Sequence, residues 1–297
     1  MMNRARLAVL AVVAVLGTTV ATTGSAAASG GYSGPTFYLS LGDSLAQGVQ
    51  PNAAGMSVET NQGYADQLFQ LERDSTKLKL FKMGCPGETS TTMIAGGICT
   101  YKLGSQLASA VNFLTAHRGH TAFVTLDIGA NDIDSCVSGF AVDYTCIGSG
   151  FTAVATNLPV ILAALRAADP KAQMVGMNYY DPFLAVWLTG ASGPAFAVNS
   201  LGLADAFNAL LGGIYAGAGF PVADVAGDSS SAFFTDDLTL VPFSPPLPAG
   251  GSAPHDVVLI CAYTWMCAPS PVGPNIHANR LGYSVIAAAF AAQIIFP

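Results

Sequence analysis

Charged side chains are scarce in this 297-residue chain: Asp, Glu, Lys and Arg make up only 10 %, with 11 Lys and Arg against 18 Asp and Glu. No cluster of Lys or Arg exists to neutralise phosphates, which argues against nucleic acid as a partner. Neither Gly-x-Gly-x-x-Gly nor a P-loop pattern occurs, so the nucleotide-binding fingerprints are missing. There is no Cys-x-x-Cys and no compact His/Cys group, and no metal or cofactor is expected. Gly-x-Ser-x-Gly, the nucleophile elbow of the α/β-hydrolases, is absent as well. Beyond the N-terminus no uninterrupted apolar run reaches the roughly 18 residues that span a bilayer.

What the chain does have begins with Arg4 and Arg6, an apolar run from Leu7 to Leu16, and the small residues Thr23-Gly24-Ser25-Ala26-Ala27-Ala28. That order is the charged, apolar and cleavage region of a secretory signal, so residues 1–28 are expected to be removed and 29–297 to form one catalytic domain. A retained anchor is the alternative, but the run is interrupted by Gly17 and lacks a charged far flank. Formal charge is -7; residues 1–28 carry two Arg beyond Asn3 and no acid, so the remainder is at -9. Mean hydropathy is +0.48 and no integral membrane segment is expected in the mature chain. The expected compartment is extracellular, where disulfides persist. Six cysteines fall into local pairs, Cys85 with Cys99, Cys136 with Cys146 and Cys261 with Cys267, each closing a loop rich in Gly, Pro, Ser or Thr. Sequence alone does not fix the pairing.

Apolar, β-rich segments at Thr36–Leu41, Leu78–Lys82, Ala122–Ile128, Gln173–Asn178 and Val222–Val225 read as strands. Helical spacing covers Tyr64–Arg73, Leu103–Ala116, Phe151–Ala168, Leu201–Ala218 and Asn279–Ile294. Strands with little polar alternation, separated by helices, predict a parallel sheet covered on both faces, an α/β fold. Residues 229–254, with Phe233-Phe234 and five prolines from Pro242 to Pro254, read as an irregular surface excursion.

Ser44 follows the first strand directly, in Gly42-Asp43-Ser44-Leu45, and reactive groups in open α/β sheets sit at strand C-termini. Taken alone it could equally be a helix N-cap. A serine hydroxyl needs a base, and the chain has four histidines. His117 and His120 flank a polar turn and read as surface. His255 opens an apolar, strand-like run and reads as surface or support. His277, just before the last helix, can be held rigidly while its ring faces the sheet edge.

Ser44 and His277 carry a recognisable pattern. Gly42-Asp43-Ser44-Leu45, Gly84, Gly129-Ala130-Asn131-Asp132 and His277 with Asn279 resemble, in order and spacing, the four blocks of the GDSL or SGNH hydrolase family. The resemblance implies a flavodoxin-like three-layer α/β/α SGNH fold with about five mainly parallel strands. It implies Ser44 as nucleophile, His277 as base, and an oxyanion hole from the Ser44 and Gly84 N–H groups and the Asn131 amide. One departure stands out. The family's last block usually reads Asp-x-x-His, whereas Pro274 occupies the position three before His277 and residues 268–276 hold no carboxylate. A main-chain carbonyl orients the histidine in some extracellular bacterial members, and Pro274 keeps that acceptor. Asp256, Asp236 and Asp237 remain open as other sources. A carbonyl in place of a carboxylate predicts a base with the ordinary histidine pKa of about 6.5.

The expected activity is a secreted esterase or lipase working through an acyl-serine on small-molecule or lipid esters, with a monomer expected. A carbohydrate acetyl esterase and an inactive secreted binding module are the alternatives. The apolar stretches Phe183–Leu188 and Ala232–Phe234 favour acyl chains.

Overall fold

The computed structural model describes residues 36–72, 77–228, 240–243 and 251–295. The expected signal segment, Phe233-Phe234, Asp236 and Asp237 lie outside the described residues. Five strands form the central sheet: β1 (Thr36–Gly42), β2 (Leu78–Lys82), β3 (Thr121–Asp127), β4 (Gln173–Met177) and β5 (Val222–Ala223). All pair in parallel, in the order β2-β1-β3-β4-β5. Parallel neighbours require crossovers, and helices supply them: α1 (Tyr64–Glu72), α2 (Ser90–Ala95), α3 (Gln106–Ala116), α4 (Tyr144–Ala168) and α5 (Gly193–Gly217). After β5 come α6 (Val225–Asp228), α7 (His255–Tyr263) and α8 (Arg280–Ala291). Helix α1 packs on α8, while α3, α4 and α5 pack side by side. The result is a three-layer α/β/α fold with flavodoxin-like strand order.

The sheet core is apolar on both faces: Tyr38, Leu39 and Leu41 of β1, Phe123, Val124 and Leu126 of β3, and Met174, Val175 and Met177 of β4 are all buried. Helices α4 and α5 are long and apolar enough, by length and composition, to cross a membrane. Each instead lays an apolar stripe on the core, Val154, Leu158, Ile161 and Leu165 from α4 and Phe207, Leu211 and Tyr215 from α5.

Helices α2 and α6 have no counterpart in the sequence reading, and three further elements depart from it. Helix α4 starts at Tyr144, seven residues before Phe151, because Asp143 caps it by accepting from the Thr145 and Cys146 N–H groups at 2.9 and 3.0 Å. Gly148 and Gly150, poor helix formers, hid this turn. Helix α5 likewise begins at Gly193 rather than Leu201. The run after His255, rich in β-branched residues, is helix α7 and not a strand, since Val257, Val258 and Ile260 all bury against the Pro182–Leu188 turn region. Tertiary packing overrides β-propensity there.

The chain runs from β1 out to β2 on one side and returns to β3 on the other. A crevice therefore opens beyond the C-terminal ends of β1 and β3, the place where doubly wound sheets bind ligands.

Candidate active site

Strand β1 can end as it does only through glycine. Gly42 has φ +131°, and a Cβ there would overlap the Asp127 carbonyl. The Gln106 side chain holds both backbone groups of Gly42, accepting from its N–H at 2.7 Å and donating to its carbonyl at 2.9 Å, and also donates to Glu88. In the next turn the Asp43 and Ala46 N–H groups both donate to Asp127 Oδ2 at 3.2 Å, and the Leu45 N–H donates to Asp43 Oδ1 at 2.9 Å. The N–H groups on either side of Ser44 are thus used. That of Ser44 itself has no acceptor among the described residues.

Gly84 repeats the pattern. The Met83 N–H donates to the Ser40 carbonyl and the Cys85 N–H to that of Gly42, leaving the Gly84 N–H free among the described residues. A Cβ at Gly84 would meet Ala46 Cβ at 2.6 Å and the Asp43 carbonyl at 2.8 Å, so only a residue without a side chain packs beneath the turn that carries Ser44. The Gln47 amide donates to the Gly84 carbonyl at 2.7 Å and fixes that peptide. Asn131 lies in the turn after β3. Its Nδ2 donates to the Glu88 carbonyl at 3.0 Å, which fixes the amide plane and leaves its second N–H over. Asp132 is structural: it accepts from both the N–H and the hydroxyl of Ser90 at 2.7 Å and so holds the start of α2.

His277 sits on a loop fastened at several points. Its carbonyl accepts from Trp265 N–H at 3.1 Å, Tyr180 donates to the Ile276 carbonyl at 2.8 Å, and Asn279 caps α8 through the Leu281 and Gly282 N–H groups. The partner of its ring corrects the sequence reading. Nδ1 meets Asn275 Oδ1 at 2.7 Å, not the Pro274 carbonyl. The same oxygen accepts from the His277 backbone N–H at 3.0 Å, and Asn275 Nδ2 meets Ser57 Oγ at 3.2 Å. A backbone N–H can only donate, so this atom is the amide oxygen and Nδ1 must carry the proton. Nε2 is left as the basic nitrogen. A second correction concerns basicity. Burial, uncompensated by a carboxylate, lowers the His277 pKa to about 4 rather than leaving it at the ordinary value.

The other histidines serve elsewhere. His117 Nδ1 lies 2.8 Å from the Phe113 carbonyl, and its ring packs on Phe37 and Phe113. His255 is exposed at the start of α7, and Asp256 is buried in that helix.

Ser44, Asn131 and His277 line one cavity of about 440 Å³. Among the described residues no hydrogen bond joins Ser44 to His277; the Ser44 hydroxyl lies against the Asp43 carboxylate and favours its charge. Such contacts commonly form only with substrate bound. The same cavity is lined by the apolar side chains of Ile133, Val137, Val142, Ile147, Phe183 and Phe207. The carboxyls of Asp43, Glu59, Asp134 and Asp181 line it as well. Asp134 is pushed up to about 7 by burial and by the charges of Asp43 and Asp181. Asp181 is pushed up to about 6 by burial, against the opposing hydrogen bonds from Ser200 and the Phe183 N–H.

Disulfides join Cys85 to Cys99, Cys136 to Cys146 and Cys261 to Cys267. They adjoin Gly84, the cavity strand pair at Val137 and Val142, and the Trp265 anchor of the histidine loop, respectively. Sequence reasoning missed Asn275, Gln106, Asp127, Asp134 and Asp181. Only Asp127 left a signal, as a lone acid in the apolar run Leu126-Asp127-Ile128.

Free N–H groups beside a hydroxyl are what a tetrahedral oxyanion requires, and at the switch point of this sheet they mark an α/β/α ester hydrolase. The chain belongs to the GDSL-like Lipase/Acylhydrolase family, whose model matches residues 40–285. Solved structures share the fold at low identity. Phospholipase A1 from Streptomyces albidoflavus NA297 has a TM-score of 0.56 and 18 % identity, over 87 % of this chain and 99 % of that one. An extracellular lipase from Streptomyces rimosus gives 0.54 and 19 %, over 87 % and 99 %. Axe2, an acetylxylan esterase from Geobacillus stearothermophilus, gives 0.52 and 13 %, over 88 % and 95 %. No curated protein sequence matches this chain.

Proposed function

We propose that this chain is a secreted carboxylic-ester hydrolase of acyl or lipid esters, working through an acyl-serine intermediate. The observation that carries the reading is the cavity, which Ser44, Asn131 and His277 share with the apolar side chains Ile133, Val137, Val142, Ile147, Phe183 and Phe207, a lining that accords with an acyl chain. Ser44 attacks the ester carbonyl while His277 Nε2 takes its proton, and the imidazolium then protonates the leaving alcohol. Water activated by His277 hydrolyses the acyl-enzyme. The Ser44 and Gly84 N–H groups and the Asn131 amide receive the charge that grows on the carbonyl oxygen. One such donor is worth about 3 kcal/mol or more in the transition state. Export through the 1–28 signal segment accords with three disulfides and no free cysteine among the described residues.

The test is direct. A fluorophosphonate should label the mature chain covalently, and Ser44→Ala should abolish both labelling and ester hydrolysis. Nitrophenyl esters of rising chain length should outpace acetylated xylan. Preference for the acetylated sugar would move the substrate to carbohydrate esters, and absence of labelling would leave a binding module.

A further inference from the structure

The turn that presents Ser44 rests on a second acid that the reaction above does not use. Asp127 ends β3 in register with Gly42 and is fully buried; Asp43 is 2 % exposed. Asp127 Oδ2 accepts from the Asp43 and Ala46 N–H groups, one on either side of Ser44, and its Oδ1 accepts from the Tyr64 hydroxyl at 2.5 Å. Asp43 accepts from the Leu45 N–H and, at 3.1 Å, from the Tyr179 hydroxyl. The two carboxyls lie in one buried network, and the ionisation of each bears on the other. A carboxyl–carboxyl bond needs a proton on one partner, since two carboxylates have no donor between them.

We propose that Asp127 is a positioning residue for the nucleophile: one proton shared with Asp43 joins the two side chains into a clamp that holds the Ser44 turn against the end of β3. This rests on the hydrolase reading of Ser44. Among the described residues the titratable groups that face the pair are Tyr38 from β1, Tyr64 from α1, Tyr179 and Tyr180 after β4, Tyr215 from α5, Tyr283 from α8 and, toward Asp43, Asp134; Asp66 of α1 acts on Tyr38 and Tyr283 behind them. All are acids or phenols, and Lys82 is committed to Asp66 at 3.0 Å. Among the described residues neither carboxyl has a cation as ion-pair partner. Burial raises both carboxyls, Asp127 well above the usual range, and the charge of Asp43 raises Asp127 further. The phenols are raised as well, so they stay neutral where the pair loses its proton. That loss places two buried negative charges side by side and opens the clamp.

Two substitutions and a spectrum test this. Asp127→Asn keeps an N–H donor for Asp43 and a carbonyl for the turn; Asp127→Leu keeps neither. Wild-type kcat/KM should fall on an alkaline limb that Asp127→Asn lacks while retaining most of its activity at pH 7. Asp127→Leu should lose about 10²-fold, the cost of a nucleophile displaced by an ångström. Asp134 titrates in both wild type and Asp127→Asn, so their difference isolates Asp127. Infrared difference between wild type and Asp127→Asn at pH 7 should contain the C=O stretch of a protonated carboxyl, whether or not the chain proves active. An identical alkaline limb in Asp127→Asn, or no such band, overturns the shared proton. A folded Asp127→Leu with wild-type turnover overturns the positioning role. Failure of wild-type labelling by a fluorophosphonate would sink the hydrolase reading separately, with the infrared result still deciding the pair.

Discussion

Replacing Asn275 by Asp should move the acidic limb of the pH–rate profile by about three units. In the wild type the His277 ring donates from Nδ1 to a neutral amide oxygen at 2.7 Å, and burial holds its pKa down at about 4. Nothing there rewards the imidazolium with a full negative charge. A carboxylate at the same place would put opposite charges about 4 Å apart, worth about 4 kcal/mol at an effective dielectric of about 20. At about 1.36 kcal/mol per unit this raises the histidine pKa by about three units, to about 7. The sign follows from the chemistry: below its pKa the ring is protonated and cannot take the Ser44 proton. Wild-type kcat/KM should therefore rise through about pH 4 and show no histidine limb between pH 6 and 8, whereas Asn275→Asp should show one near pH 7. The assay is kcat/KM on a short nitrophenyl ester from pH 4 to 9, with far-UV circular dichroism to confirm folding at each end. Coincident acidic limbs in the two proteins would refute the pairing of Asn275 with the base. A wild-type limb near 6.5 would refute the effect of burial.

Two further outcomes follow from the packing. Gly84→Ala forces a Cβ to within 2.6 Å of Ala46 and 2.8 Å of the Asp43 carbonyl, so about 1–3 kcal/mol of stability should be lost, measured by urea unfolding. Wild-type stability would show that the turn yields freely there. Asp181 concerns stability against pH. Its folded pKa of about 6 lies above the unfolded value of about 3.9, so the folded state binds the proton more tightly. Its contribution is fully present below about pH 4 and is lost as pH rises through about 6, to a total of about 3 kcal/mol. Asp181→Asn keeps an oxygen for the Phe183 N–H, turns an amide N–H toward the Ser200 hydroxyl, which can accept it, and should flatten that slope; equal pH dependence of urea unfolding in the two proteins between pH 4.5 and 7.5 would contradict it.

The sheet was legible because its strands are buried on both faces. The runs at 36–41, 78–82, 122–128 and 173–178 agree with the observed strands to within a residue or so. Helix starts were less visible, since α4 begins on the Asp143 side-chain cap rather than on apolar periodicity. Ser44, Gly84, Asn131 and His277 could be named from local blocks, and the structure carries Ser44, Asn131 and His277 to one cavity with Gly84 packed beneath the turn.

The amino-acid order by itself determined the layered α/β/α class and the small set of residues able to act as nucleophile, base and donors, because burial on both faces and motif spacing are properties of the chain read in line. Tertiary structure alone decided what stands behind those residues. Asn275 rather than Pro274 meets the histidine, and Asp127, which belongs to no motif, meets Asp43 across the ends of two neighbouring strands. Strand register brings Asp43 to Asp127 from a distant part of the chain, and loop anchoring turns the Asn275 side chain onto the ring of His277, two residues further on. Burial then sets their protonation, lowering the basicity of His277 and raising that of Asp127, and no residue's identity alone carries that information.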